Sequence, residues 1–346
     1  MKATKIPYAL GLMATIALPA LPALADGEVN VYSYRQPELI QPLLDEFTKE
    51  TGIATNVLFL DKGLVERIQA EGENSPADVI LTVDIGRLTE AKEGGVTQSL
   101  VDETINKDIP AKYRDPEGNW FGLTTRGRVI YASNDRVKET DLTYEDLADP
   151  KWKGKICTRD GQHSYNIGLF ASMVAHHGEE YTEKWLTAVK NNLARKPNGS
   201  DRSQAKSIKA GECDLALGNT YYVGLMITND KEPEQKEWAK SLHVIFPNAK
   251  DRGTSVNISG MALAKYAPNK DNAVKLMEFL TTPKAQEIYA DQVFEYPVLP
   301  GAQPSEVVKS FGEIHADALP ISDLAKFRKK ASELVDKVGF NDGPAE

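Results

Sequence analysis

The spacing of apolar residues between positions 28 and 95 changes repeatedly from a period of two to a period of three or four. Val29 and Val31 alternate with polar residues, which predicts a strand. Apolar positions between Pro37 and Thr51 recur at helical spacing, and Gly52 then supplies a C-cap. Strand–helix alternation with short turns predicts a parallel α/β sheet, whose ligands bind at the carboxyl ends of the strands. The predicted elements are strands at 28–34, 54–59 and 77–83, and helices at 37–51, 64–70 and from the cap Asp84 through Glu90.

After Trp120 the pattern changes to two long extended runs, 121–131 and 253–264, each long enough to cross between two domains. A second set of elements lies between them, and further helices follow the second run. Two α/β lobes joined by two crossings would enclose a cleft that opens and closes about a hinge. The predicted elements are strands at 154–157, 213–217 and 243–246, and helices at 165–176, 182–192, around 205, 270–280, 283–291 and 322–337.

The length of 346 residues agrees with two lobes, because a single core rarely grows to this size. We expect the first lobe to comprise residues 26–124 and 254–300, and the second lobe residues 125–253 and 301–346. The composition, 41% apolar and 26% charged, is that of a globular protein.

The N-terminus has the pattern of a secretory signal peptide. Lys2 and Lys5 precede an apolar run that is too short to span a membrane, and Ala23-Leu24-Ala25 supplies the small residues of a cleavage site. We therefore predict cleavage after Ala25 and an exported, periplasmic protein with no membrane span in its mature form. Losing the two lysines takes the formal net charge from -9 to -11, and such an acidic protein is a poor candidate for binding nucleic acid.

The chain has two cysteines, Cys157 and Cys213, and an oxidising compartment makes a disulfide between them the default expectation. Each cysteine lies eight residues before a tyrosine, Tyr165 in one case and Tyr221 in the other. If the cysteines pair, the two tyrosines start close together.

Motifs of enzyme chemistry are missing from the sequence. It contains no phosphate loop, no dinucleotide fingerprint, no HExxH, no calcium loop and no GxSxG. Its five histidines lack a convincing catalytic or zinc spacing, and no carboxylate pair stands out as an acid/base couple. These absences weaken the case for an enzyme.

Two adjacent tyrosines, Tyr221 and Tyr222, stand between Gly218-Asn219-Thr220 and Val223-Gly224. Adjacent side chains diverge on a helix and on a strand, so they meet at one point only at an irregular place such as a helix N-terminus. One interpretation is a half-buried aromatic pair that anchors the helix start. The other is a metal site, because phenolate oxygen is a hard anionic donor that suits a highly charged cation. Only a strong Lewis acid such as ferric ion holds several phenols, of ordinary pKa near 10, as phenolates at neutral pH.

Several motifs together resemble the bacterial periplasmic ferric-iron-binding proteins of ABC importers, including the cyanobacterial ones, over nearly the whole mature chain. The resemblance implies a two-lobed periplasmic binding protein of type II, a venus flytrap with two hinge-crossing strands, and no enzymatic activity. Its function would be to deliver Fe(III) to an inner-membrane ABC permease, and we expect a monomer. The motifs are Val29-Asn30-Val31-Tyr32-Ser33-Tyr34-Arg35-Gln36-Pro37, Ala77 to Asp84, Thr125-Arg126-Gly127-Arg128, Gly218 to Gly224 and Glu295-Tyr296-Pro297-Val298.

The same resemblance implies that Tyr165, Tyr221 and Tyr222 ligate Fe(III). Arg126 would hold a synergistic anion, with carbonate or bicarbonate expected, and Arg35 would contribute from the first lobe. Many relatives carry a His-Tyr pair where this chain has Gln36-Pro37, which places it with the subgroup that has three tyrosines and carbonate.

Two details of the first loop follow from this placement. Gln36 would move toward the anion on closure, and Tyr34 is a candidate for an extra ligand.

The sequence leaves two other functions open. One is binding an organic anion such as a phosphonate or a sugar phosphate, and the other is a secreted enzyme with its site in the cleft.

Overall fold

The computed structural model describes residues 27–344. The signal peptide predicted for residues 1–25 and its cleavage after Ala25 lie outside the described residues. Within the described part of the chain, no helix is both long enough and apolar enough to cross a membrane.

The first part of the chain forms the alternating elements that its periodicity predicts. Buried Ile40, Leu43, Leu44 and Phe47 fall on one face of the first helix, which Gly52 ends in the left-handed conformation. Asp84 caps the third helix by accepting a hydrogen bond from the Gly86 amide at 2.7 Å. The elements are β1 (Glu28–Ser33), α1 (Pro37–Thr51), β2 (Ala54–Phe59), α2 (Leu64–Glu71), β3 (Val79–Thr82), α3 (Ile85–Glu93) and α4 (Glu103–Asp108).

The rest of the described chain, up to residue 344, contributes six strands and eight α-helices. The two helices predicted at 165–176 and 182–192 belong to one long element, which is interrupted at Gly178 (φ 79°, ψ 172°). Short helices α4, α8 and α11 were not predicted, because each presents too few turns for a periodic pattern. The elements are β4 (Phe121–Ser133), β5 (Ile156–Cys157), α5 (Ser164–Asn192), α6 (Asp201–Ala210), β6 (Leu215–Asn219), α7 (Thr220–Ile227), α8 (Glu234–Lys240), β7 (Leu242–Ile245), β8 (Val256–Leu263), α9 (Lys270–Thr281), α10 (Pro283–Val293), β9 (Tyr296–Pro297), α11 (Glu306–Ser310) and α12 (Ile321–Lys337).

One strand, β4, joins two groups of strands into a single sheet of order β2-β1-β3-β8-β4-β6-β5. Its first half, residues 121–127, pairs with β8, which in turn pairs with β3 of the parallel group β2-β1-β3. Its second half, residues 128–133, pairs with β6 and β7, and β6 lies parallel to β5. The sequence predicted both long strands, β4 and β8, as crossings between lobes.

A third segment follows β9 and returns the chain to the second group of strands. Thr254 and Ala316 form a β-bridge on this path, and α12 then packs mainly along α5, with a smaller contact to α3. The lobe boundaries 26–124 with 254–300, and 125–253 with 301–346, stay a prediction.

Every residue of β4 is buried, including Arg126 and Arg128. Burying a charge is costly unless it is paired and hydrogen-bonded, so these two arginines must have partners at the centre of the molecule. Their partners define the site described next.

Candidate metal-binding cleft

A disulfide and two short parallel strands bring the predicted tyrosines together. Cys157 and Cys213 are bonded, with their Cα atoms 5.9 Å apart, which confirms the predicted pairing. Strands β5 and β6 pair in parallel, with Cys157 opposite Ala216. Because the carboxyl ends of parallel strands meet at one edge of a sheet, the segments that follow them, with Tyr165 and Tyr221, emerge side by side.

Each tyrosine segment is the start of a helix. Tyr165 is the second residue of α5, and Tyr221 and Tyr222 lie in the first turn of α7. His163 caps α5, with its Nδ1 accepting from the Tyr165 amide at 3.2 Å. Burial, followed by the charge of Arg159, lowers the pKa of His163 to about 4, which keeps the ring neutral and able to accept. The adjacent tyrosines can converge because they stand at such a helix start.

The three phenols form one cluster. The hydroxyl oxygens of Tyr165 and Tyr221 lie 3.1 Å apart, and the rings of Tyr221 and Tyr222 stack with their centroids 4.2 Å apart. Burial and then the neighbouring phenols raise the pKa of Tyr221 well above its ordinary value. Burial and Tyr165 likewise raise the pKa of Tyr222 to about 12. Without a cation Tyr221 and Tyr222 stay protonated at neutral pH, so their conversion to phenolates requires a strong Lewis acid.

The phenol cluster forms part of the wall of a cleft of about 450 Å³ between the two groups of strands. All seven residues that the sequence singled out line this cleft: Tyr34, Arg35, Gln36, Arg126, Tyr165, Tyr221 and Tyr222. Their roles in binding stay predictions.

Arg35 already has a protein partner, Glu295. The Nη2 atom of Arg35 lies 3.0 Å from Glu295 Oε1 and donates to the Ser259 hydroxyl at 2.6 Å. Ser259 and Thr124 donate to the other carboxylate oxygen of Glu295. Burial alone would raise the pKa of Glu295, but Arg35 and Arg126 hold it below its ordinary value. Arg35 is therefore a paired cation within the cleft rather than a free one.

Sequence reasoning assigned no role to Glu295, although it noted the motif Glu295-Tyr296-Pro297-Val298. A carboxylate directly before an apolar, proline-containing strand was the available signal, because such a residue is buried only with a partner. The partner, Arg35, lies 260 residues away in sequence and could not be named.

Arg126 is the second buried cation of the cleft, with only 1% of its surface exposed. It donates to the Val83 carbonyl and, at 3.3 Å, to the Ser259 hydroxyl. Its nearest carboxylate, that of Asp84, lies 3.8 Å away, and its guanidinium carbon is 5.6 Å from the Tyr165 ring centroid. Arg126 thus directs positive charge at the phenol cluster while its own ion pair is long.

Tyr34 and Gln36, the two remaining candidates from the loop after β1, also line the cleft. The Tyr34 hydroxyl accepts a hydrogen bond from the Leu64 amide at 3.2 Å, at the start of α2, and the Arg87 guanidinium stacks on its ring at 3.9 Å. Burial raises the pKa of Tyr34. Gln36 occupies the N-cap position of α1 without a capping hydrogen bond from its side chain. Tyr34 as an extra ligand, and Gln36 as an anion contact, stay predictions.

A buried ionic network lies next to the phenol cluster, and sequence reasoning missed it. Asp201 is fully buried and accepts from Arg128 at 2.8 Å, from Arg159 at 3.2 Å and from the Asn219 amide at 2.8 Å. Arg128 also donates to Asn166 at 2.6 Å. Asn166 follows Tyr165, and Asn219 lies two residues before Tyr221, so the network connects the starts of α5 and α7.

Among residues 27–344, no group of three or more His, Cys, Asp or Glu side chains is arranged to hold a metal ion. The phenol cluster offers a different donor set, which consists of tyrosine oxygens. Its donor set is hard, anionic once deprotonated, and flanked by arginines, which suits a ferric ion together with an anion.

Comparison with known proteins gives consistent matches. The profile of a family described as bacterial extracellular solute-binding protein matches residues 74–313. Iron uptake protein A1 of Synechocystis is 43% identical over 316 residues, which cover 90% of this chain and 87% of that protein. The ferric iron-binding protein A of Mannheimia haemolytica, in an open conformation, superposes with a TM-score of 0.88 at 50% identity, over 91% of this chain and 99% of that one.

A third match includes bound ligands. The IdiA/FutA protein of Trichodesmium, in complex with iron and citrate, has a TM-score of 0.87 and 43% identity, over 91% of this chain and all of that one. These superpositions confirm the predicted two-lobed α/β fold of a periplasmic binding protein.

Proposed function

The chain belongs to the bacterial extracellular solute-binding proteins and, within them, to the ferric-iron-binding periplasmic family, and from this premise we propose that it binds Fe(III) through Tyr165, Tyr221 and Tyr222. The observation that carries the proposal is the phenol cluster in the cleft, with two hydroxyl oxygens 3.1 Å apart. Three phenolates balance the three positive charges of a ferric ion, and the remaining coordination positions accept an anion.

The protein acts as a receptor and catalyses no reaction. Its relatives are iron uptake and ferric-binding proteins, so the receptor hands its iron to an inner-membrane ABC permease from the periplasm. Iron binding displaces protons from the phenols, which means that acid opposes binding and favours release. Reduction to Fe(II) also favours release, because the less charged ion is a weaker partner for phenolate.

Arg126 is the main partner of the synergistic anion in this proposal. Its ion pair with Asp84 is 3.8 Å long, whereas that of Arg35 with Glu295 is 3.0 Å, so Arg126 has more charge available for an incoming anion. Carbonate fits a bidentate guanidinium contact. The relative from Trichodesmium binds iron with citrate, and the cleft volume of about 450 Å³ leaves room for either anion.

A titration with ferric ion tests the proposal. The apo-protein is titrated with Fe(III) from a weak chelate, with bicarbonate or citrate present in separate runs, while the visible spectrum is recorded. A phenolate charge-transfer band that saturates at one iron per chain supports the proposal. The anion that raises the apparent affinity more is the synergistic one.

Substitutions identify the ligands in the same assay. The variant Tyr221→Phe/Tyr222→Phe should lose the band while its circular dichroism is unchanged. Tyr266→Phe, at a half-exposed tyrosine outside the cleft, is the matched control and should keep the full band. Tyr34→Phe decides whether an extra phenolate contributes. Retained colour and affinity in the double variant would refute the ligand assignment, and binding of a phosphonate or sugar phosphate without metal would favour the organic-anion alternative.

A further inference from the structure

An arginine and a carboxylate lie behind the phenol cluster, outside the cleft lining. The guanidinium carbon of Arg159 is 5.1 Å from the ring centroid of Tyr165, and the side chain is only 12% exposed. Its Nη1 atom donates to Asp201 Oδ1 at 3.2 Å, while its Nε is buried without a hydrogen-bond partner among the described residues. A buried cation therefore lies close to the predicted iron ligand Tyr165, outside the cleft lining.

Asp201, Arg159 and Tyr165 are thus arranged in the order carboxylate, guanidinium, phenol. A positive charge beside a phenolate weakens its electron donation to a bound metal, and the effect is strong where water is excluded. Fe(III) carries one more positive charge than Fe(II), so the nearby cation disfavours the ferric state relative to the ferrous state. Asp201, which is fully buried, offsets part of that cation.

We propose, on the basis of the iron-receptor function above, that Arg159 and Asp201 act through Tyr165 to set how readily bound iron is reduced and released. In the step concerned, Fe(III) accepts one electron from an external one-electron reductant and becomes Fe(II). No bond to Arg159 or Asp201 forms or breaks. Both are positioning residues, whose charges act on the phenolate donor.

Their position in the fold explains how they hold this geometry. Asp201 is the first residue of α6 and also accepts from Arg128 and from the Asn219 amide, both at 2.8 Å. Because Arg128 bonds to Asn166, next to Tyr165, the carboxylate is fixed relative to the phenol from two directions. Arg159 is thereby fixed against one ligand and cannot swing into the cleft without leaving its ion pair.

The test measures the reduction potential and the charge-transfer band of the iron-loaded protein, with a reduced viologen as the electron donor. Arg159→Gln should lower the potential, changing the ratio of Fe(III) to Fe(II) affinity about tenfold, which equals about 59 mV for one electron. Asp201→Asn should raise the potential, and the band should move in opposite directions in the two variants. Arg252→Gln is the matched control, because Arg252 is also mostly buried, at 17% exposed, and pairs with Glu145 at 2.7 Å, but it does not lie over the ring of a cleft tyrosine as Arg159 does. It should change neither quantity.

A purely structural role would move both variants in the same direction through loss of binding. Shifts of equal sign, or none, in Arg159→Gln and Asp201→Asn would overturn the inference. Arg159→Lys keeps the positive charge and should therefore keep the wild-type potential. If the near-ultraviolet circular dichroism of apo Asp201→Asn shows misfolding, the comparison of Arg159→Lys with Arg159→Gln tests the inference without that variant. A wild-type protein with no charge-transfer band would instead overturn the receptor function and, with it, this inference.

Discussion

The buried pair of Arg35 and Glu295 makes a prediction with two measurable parts. Both side chains are almost fully buried, and the pair is 3.0 Å long. Glu295→Gln removes the negative charge while it keeps the volume, so Arg35 is left as an uncompensated cation. Removing one partner of a buried ion pair destabilises a protein by about 3–5 kcal/mol. Because glutamine can still accept a hydrogen bond, we expect a loss at the lower end, about 3 kcal/mol.

The second part concerns the anion. The unpaired Arg35 lines the cleft, so bicarbonate can replace the lost carboxylate. A ligand at 100 times its Kd stabilises the folded state by about 2.7 kcal/mol. Bicarbonate should therefore restore most of the stability of the variant and stabilise the wild-type protein much less, because its Arg35 is already paired.

Urea unfolding of the iron-free proteins in chloride-free buffer, followed by circular dichroism with and without bicarbonate, measures both parts. Glu117→Gln is the matched control, because Glu117 pairs with Lys92 at 3.3 Å but is 74% exposed; it should change stability by less than about 0.5 kcal/mol. Two results together would refute this reasoning: Glu295→Gln loses no more stability than the control, and bicarbonate stabilises the variant and the wild type equally. They would show that Arg35 and Glu295 do not depend on each other in solution.

Three further predictions use other parts of the molecule. The double variant Cys157→Ser/Cys213→Ser opens a loop of 56 residues and should lower the free energy of unfolding, measured by urea titration, by about 4 kcal/mol. It should also weaken iron binding. Unchanged iron affinity would contradict a role for the disulfide in placing the tyrosines. Burial would raise the pKa of Glu145, but hydrogen bonds and a neighbouring arginine lower it to about 2. The contribution of Glu145 to the free energy of unfolding is therefore complete above about pH 5 and is lost as the pH falls toward 2. Glu145→Gln should therefore reduce the acid-induced loss of stability by roughly 1–2 kcal/mol after allowance for partial exposure, and equal pH profiles would refute this. Gly218→Ala should destabilise the protein by about 1–3 kcal/mol in the same titration, because its Cβ would overlap the ring of Tyr131, and a neutral result would show that the ring moves freely.

Local features of the sequence predicted most of the fold. Strand β2 has the predicted bounds 54–59, and helix α1 has the predicted bounds 37–51, because periodicity and the Gly52 cap are properties of neighbouring residues. The disulfide was predictable from two cysteines in an oxidising compartment. Strand β3 is shorter than its predicted span of 77–83, because element ends depend on which partners continue the ladder.

The candidate site was predictable only in part. All seven candidate site residues from the sequence line the cleft. However, recognition of the family, rather than periodicity, selected Tyr165 and Arg126 from among many tyrosines and arginines. Glu295 and Asp201 were missed because a buried carboxylate is identified by its cation, and both cations lie far away in sequence. Long-range pairs of this kind require the fold before they can be named.

The charges in the cleft also explain why an anion should accompany the iron. In the proposed site three phenolates would neutralise Fe(III), so the metal alone would add no net charge that could hold the two lobes together. An anion adds negative charge, which Arg126 can meet because its ion pair with Asp84 is long, at 3.8 Å. Arg126 lies in the crossing strand β4 and donates to Val83 in the loop after β3. An anion held by Arg126 and by the metal would thus connect the phenols of one strand group to the crossing strand and to the loops of the other group. Loading of the cleft would in this way be coupled to its closure.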